Sequence, residues 1–181
     1  PLGCTVGNAL EVREAIEVLA GGGPADVVEL TILLATEMVQ LAGLDADPAR
    51  VLASGRAMDT WRAMILAQGG DPEAPLPLAR HTDEVLATST GIVHRMDARA
   101  IGLASWQLGA GRARKEDTVQ AGAGIELLVR PGDRVTAGQP LLRLHTDTPD
   151  TLAAARQVLG GGIVVGEQAP SPDALLIERI S

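Results

Sequence analysis

Apolar residues recur every three or four positions through the first third of this chain and at strand-like intervals later, with a glycine- and proline-rich stretch between the two regimes. A polypeptide patterned in this way cannot be a single bundle or a single sheet, and the clustering of strands away from the first helices predicts a mixed α/β or α+β fold. Leu10, Val12, Ala15, Ile16 and Leu19 share a broad helical face after Asn8, which predicts a helix over residues 9–20 that stops at Gly21-Gly22-Gly23. Pro24 suits the first turn of the next helix, and Asp26 complements its positive end. This second helix is expected to run to about residue 42. Val27, Val28, Leu30, Ile32, Leu33, Leu34, Met38, Val39 and Leu41 leave it little polar face, so it is expected at the centre of a helical layer, surrounded by protein. Shorter helices follow at residues 49–52 and 56–67, where Trp61 and Met64 read as core packing.

The glycines and prolines of residues 69–77 mark a boundary. The domain reading is residues 1–70, a linker at 71–82, and a β-rich subdomain over 83–181. Within that subdomain the pattern predicts strands at 83–87 and 91–95 and a helix at 97–108 capped by Asp97. A hairpin of residues 125–129 and 140–145 is expected around Pro131-Gly132-Asp133. A helix at 151–159, ended by Gly160-Gly161-Gly162, and short strands at 163–166 and 175–180 complete the reading.

Composition limits the chemistry. A chain of 181 residues with 46% apolar composition buries roughly 70% of its unfolded surface, enough for one core with a satellite. The 23 acidic and 15 scattered basic side chains give a net charge of −8, which repels a phosphate backbone, so nucleic acid is not an expected partner. No apolar run approaches the ~20 residues of a membrane span, and a cytoplasmic location is the expectation. Cys4 is the single cysteine and excludes an internal disulfide and any multi-thiolate metal site. His81, His94 and His145 fall in the linker and on different strands, not at clustered zinc-ligand spacing. Gly21-Gly22-Gly23 follows a helix and does not open one after a strand, so helix termination explains it better than a phosphate loop. The serines and threonines carry no nucleophile-elbow motif. Asn8 and Glu11 are the sharpest polar pair and admit two readings. As a helix-start capping arrangement, Asn8 takes a first-turn amide and Glu11 reaches back to the Asn8 amide; alternatively, Glu11 offers oxygen to a hard cation close to irregular backbone at Leu2-Gly3.

Four ordered segments then carry a resemblance. Pro1-Leu2-Gly3-Cys4-Thr5-Val6-Gly7-Asn8-Ala9-Leu10-Glu11-Val12-Arg13-Glu14-Ala15, Gly23-Pro24-Ala25-Asp26, Ala67-Gln68-Gly69-Gly70-Asp71 and Leu108-Gly109-Ala110-Gly111-Arg112 resemble segments of the thymidine/pyrimidine-nucleoside phosphorylases. The resemblance runs along nearly the whole chain and implies the C-terminal part of such an enzyme: part of its α/β domain, as a helical layer with part of a mixed sheet, then a small barrel-sandwich β subdomain. It implies phosphorolysis of a pyrimidine nucleoside, homodimerisation of the full-length protein, and no required cofactor. The family's phosphate loop and base-holding Arg/Ser/Lys set are expected upstream of Pro1, which leaves this chain without catalytic residues and inactive alone. It also implies a potassium ion, with Glu11 as carboxylate ligand and Leu2 as a carbonyl ligand. Residues 129–142 are similar in another way, to the strand-turn-strand of biotinyl and lipoyl carrier domains. The only lysine, Lys115, lacks those domains' flanking pattern, so a non-catalytic carrier module stands as the alternative. A phosphoribosyltransferase of the anthranilate type is disfavoured by the β-rich extension after Asp83.

Overall fold

The computed structural model describes residues 1–112, 114–171 and 174–180. In chain order it contains β1 (Thr5–Gly7), α1 (Ala9–Leu19), α2 (Ala25–Leu41), α3 (Pro48–Ala53), α4 (Arg56–Ala67), β2 (His81–Leu86), β3 (Gly91–Met96) and α5 (Ala98–Ser105). A wide helical turn, Trp106–Ala110, extends α5, and β4 (Gly124–Leu127), β5 (Arg134–Val135), β6 (Pro140–Thr146), α6 (Thr151–Leu159) and β7 (Ile163–Gly166) follow. The fold is mixed α+β with two antiparallel sheets. The chain forms two compact units. One joins Gly3–Val12 to residues 76–171, and the other comprises Arg13–Pro75 with residues 174–180.

The first unit holds both sheets, a four-stranded one in the order β1-β4-β6-β2 and a three-stranded one in the order β5-β3-β7. Period-two alternation determines what faces inward. Ile125, Leu127, Leu142 and Leu144 point into the core, while Glu126, Arg143 and His145 point the other way. Val93 and Val135 of the second sheet, Ile101 and Ala104 of α5, Leu108, and Ala155 and Leu159 of α6 complete one aliphatic core. Each fully buried Ile or Leu contributes on the order of 1.5–3 kcal/mol. The predicted hairpin strands do pair, as β4 with β6, but the segment between them is more than a turn: Arg134 and Val135 cross to pair with β3. At the other edge, β1 approaches β4 so closely that a Cβ on Gly124 would stand 2.5 Å from the Val6 carbonyl oxygen.

Asp97 caps α5 as expected, its carboxylate accepting the Ala100 amide at 3.0 Å. The regular helix nevertheless ends at Ser105, and the last turn widens through Gly109 at φ 105°. A Cβ there would stand 2.6 Å from the Gln120 side chain, so glycine meets both a conformational and a packing requirement.

The second unit consists of helices. Asp47 caps α3 through the Ala49 and Arg50 amides. Arg62 of α4 reaches Asp59 at 3.7 Å and Glu73 at 3.4 Å. Among the described residues, only Val18 and Met58 are buried apolar side chains here. Contrary to expectation, α2 has no buried residue, and Met38 and Leu41 are 69% and 88% exposed. Its continuous apolar pattern would suit burial on all sides, but the helices of this unit cover too little of it. The strand expected at 175–180 is not formed either. That segment is exposed, and an apolar run without a neighbouring strand has no ladder to join. Arg179 instead forms an ion pair with Glu37 of α2, which holds the Glu37 carboxyl below its ordinary range.

Candidate functional site

The junction between β1 and α1 carries the sharpest polar pair in the sequence, and the first unit builds it from distant parts of the chain. Glu11 stands in the first turn of α1, where its Oε1 accepts the Gly7 amide at 2.8 Å. The capping arrangement therefore differs from the expected one: the amide it satisfies belongs to Gly7, not Asn8. The Asn8 side chain turns away, and its Nδ2 donates to the Ala110 carbonyl at 2.8 Å. It is drawn there because the widened turn after α5 presents a carbonyl at hydrogen-bond distance. Alongside, the Ala9 amide donates to the Ala121 carbonyl at 2.9 Å, and Ser105 Oγ donates to the Val6 carbonyl at 3.0 Å.

Glu11 is exposed, and its Oε2 has no hydrogen-bond partner among the described residues. One carboxylate oxygen is thus committed to the backbone and one is available to a hard cation, which fits the donor chemistry of a potassium ligand. Leu2 lies in the segment before β1 and is exposed, beside the buried Gly3. Among the described residues no cluster of three or more His, Cys, Asp or Glu side chains is placed to hold a metal.

The three histidines are separate. His81 opens β2, and His94 Nδ1 lies 3.3 Å from the Gln168 carbonyl. His145 Nε2 lies 2.9 Å from Glu126 Oε2 on the outward face of the four-stranded sheet. Arg143 continues that row, reaching Glu126 at 3.6 Å and Glu84 at 3.1 Å. Cys4 is half-buried, and its Sγ accepts from Arg130 Nη2 at 3.0 Å. Lys115 is exposed in the loop before β4, and the turn at residues 131–133 presents proline, glycine and aspartate.

A cleft of about 430 Å³ opens between β2 and β7 and is lined by Val85, Leu141, Leu159, Ile163 and Val165, with Arg156 beside it. Arg156 is already committed to Asp83 Oδ2 at 2.6 Å and to the Glu84 carbonyl at 2.6 Å. The guanidinium hydrogen bond holds the Asp83 carboxyl below its ordinary range. Neither Glu11 nor Leu2, the candidate site residues from the sequence, lines this cleft. Sequence reasoning missed Ser105 and Gln120, both of which serve the junction or the loop beside it. Their partners lie about a hundred and about thirty residues away along the chain, so no local spacing announces them.

Residues 92–165 match the family described as Pyrimidine nucleoside phosphorylase C-terminal domain. The thymidine phosphorylase of Mycobacterium tuberculosis (strain CDC 1551 / Oshkosh) is 51% identical over 181 residues, which covers 99% of this chain and 42% of that protein. The pyrimidine-nucleoside phosphorylase of Staphylococcus aureus (strain USA300) is 38% identical over 193 residues, 99% of this chain and 44% of its own length. That of Staphylococcus epidermidis (strain ATCC 12228 / FDA PCI 1200) is 39% identical over 163 residues, 83% of this chain and 37% of its own. The chain spans less than half the length of these relatives. Among the described residues no helix is long and apolar enough to cross a membrane.

Proposed function

Since the chain belongs to the thymidine/pyrimidine-nucleoside phosphorylase family and matches its C-terminal part, we propose that it serves as the C-terminal scaffold of such an enzyme. In the complete protein, phosphate attacks the anomeric carbon of a pyrimidine nucleoside, the glycosidic C–N bond breaks, and the free base leaves with a pentose 1-phosphate as co-product. That chemistry needs fixed donors for an anionic nucleophile and for charge building on the departing base. On this reading those donors belong to the part of the relatives that this chain does not span, and the chain alone is inactive. The complete protein acts as a homodimeric pentosyltransferase. The observation that carries the reading is 51% identity over 99% of the chain to a thymidine phosphorylase.

The contribution of the chain at the junction is the Glu11 carboxylate. Its Oε1 is oriented by the Gly7 amide, and its Oε2 is offered to potassium. Bound there, the ion would supply positive charge beside the Glu11 carboxylate. A mass-verified sample of the chain, given thymidine and phosphate, is expected to release no thymine by ultraviolet absorbance. The same assay on a protein that includes the segment the relatives carry beyond this match is expected to show phosphate-dependent release. Turnover by the chain alone would overturn the scaffold reading. For the ion, thallium-205 resonance or potassium-dependent thermal stabilisation is expected for the native chain and lost in Glu11→Gln.

A further inference from the structure

Residues 110–112 leave the end of the widened turn and residues 114–121 return to β4, and both ends of this excursion are fastened to two consecutive residues. The Ala110 carbonyl accepts from Asn8 Nδ2 at 2.8 Å, and the Ala121 carbonyl accepts from the Ala9 amide at 2.9 Å. A third bond closes the neck from within, the Gln120 amide to the Gly109 carbonyl at 2.9 Å. The ends of the excursion are thus adjacent, and Asn8 and Ala9, where the chain enters α1, are its clasp. Arg112, Arg114 and Lys115 are exposed on the loop, three cations within four positions of a chain whose net charge is −8. The clasp stands on the turn that Glu11 closes by accepting the Gly7 amide.

We infer that Asn8 is a positioning residue: its side-chain amide fixes the basic loop at 110–121 to the Glu11 turn, so that the placement of one constrains the other. Of the two fastenings, from Asn8 and Ala9, this is the one made by a side chain, so a substitution can cut it while the backbone bond from Ala9 remains. Coupling of this kind is reciprocal: whatever steadies the Glu11 turn steadies the loop neck. The inference rests on hydrogen-bond geometry and does not require the cation reading of Glu11.

The loop supplies its own reporters, since trypsin cleaves after Arg112, Arg114 and Lys115. When opening is fast relative to cleavage, the rate follows the population of the open loop. In Asn8→Asp a carboxylate oxygen replaces the donor and faces the Ala110 carbonyl. Cleavage at the three loop sites is expected to rise about fivefold, the factor carried by one net hydrogen bond. Cleavage after Arg50 and Arg62, in the helical unit, should change less than twofold. Asn8→Ala, with circular dichroism as a folding check, repeats the test without added charge. Unchanged loop rates, or rates that rise in parallel at every site, would overturn the inference, as would failure of both variants to fold. The cation reading is tested separately, by potassium-dependent thermal stabilisation of the native chain and its loss in Glu11→Gln, so failure of the clasp and failure of the cation reading are distinguishable.

Discussion

Thr146 is fully buried, and its hydroxyl serves several neighbours. It donates to the Leu108 carbonyl at 2.7 Å and accepts the Thr148 amide at 3.0 Å, with Gln120 Oε1 and Thr151 Oγ1 each 3.3 Å away. Replacing it by valine keeps the shape and removes the hydroxyl. The Leu108 carbonyl and Thr148 amide then lose this partner, at about 1–3 kcal/mol per buried group left unsatisfied. Allowing for the second acceptor lone pair of the carbonyl and for the added methyl, Thr146→Val should cost about 2–4 kcal/mol. Thr146→Ser keeps the hydroxyl and loses one methyl, about 1 kcal/mol. A core governed by apolar burial alone would rank the two the other way. Trp61 lies in the helical unit and Trp106 in the sheet unit, so a Trp61→Leu background leaves Trp106 as the sole tryptophan and a reporter of the unit containing Thr146. With a urea m-value of ~2 kcal/mol/M, the valine variant should unfold about 1–2 M earlier than its parent and the serine variant about 0.5 M earlier. A valine variant as stable as the serine variant, or more so, would refute the account of this polar knot.

Two further predictions concern the same unit. The Asp83 carboxyl titrates below its ordinary value because Arg156 hydrogen-bonds the charged form. The pair therefore contributes stability above the unfolded carboxyl range near pH 3.8 and loses it as pH falls through the lower folded value. Asp83→Asn should flatten the acid limb of a stability-versus-pH curve while costing no more than ~1 kcal/mol at pH 7, since the pair is more than a third exposed. Gly124→Ala should destabilise by about 1–3 kcal/mol in chemical denaturation, because the new Cβ would stand 2.5 Å from the Val6 carbonyl oxygen and 2.8 Å from Leu10 Cδ1. A neutral alanine would mean that the strands part there without cost.

Local pattern was legible and pairing was not. The Leu10 to Leu19 stripe, Pro24, the glycine stops and the Asp97 cap each act within a turn or two of helix, so the sequence reading and the structure agree closely there. The pattern likewise placed the strands at 125–129 and 140–145, which pair as β4 and β6. Residues 5–7 are too few to show a period, and β1 exists only because β4 offers its edge. Arg134 and Val135 looked like part of a turn because nothing local says that their partner is β3. At the junction, Asn8 and Glu11 could be picked out by residue type and spacing. Glu11 kept a local acceptor role, while the partner of Asn8 lies 102 positions away. The tail around Ile177 shows the opposite failure: its composition suits a strand, but hydrogen bonds need a second backbone.

The two units differ greatly in what they bury. One has a continuous aliphatic core of both sheets and two helices, whereas the other, among the described residues, encloses Val18 and Met58. Free energy of opening follows such differences, so amide protons of α2 and α4 should exchange with solvent long before those of β4 and β6. A single melting temperature would then be a blend of two events. Heating or dilute denaturant should first loosen the helices while the sheets stay folded, giving a half-ordered species whose sticky surface is the apolar pattern of α2.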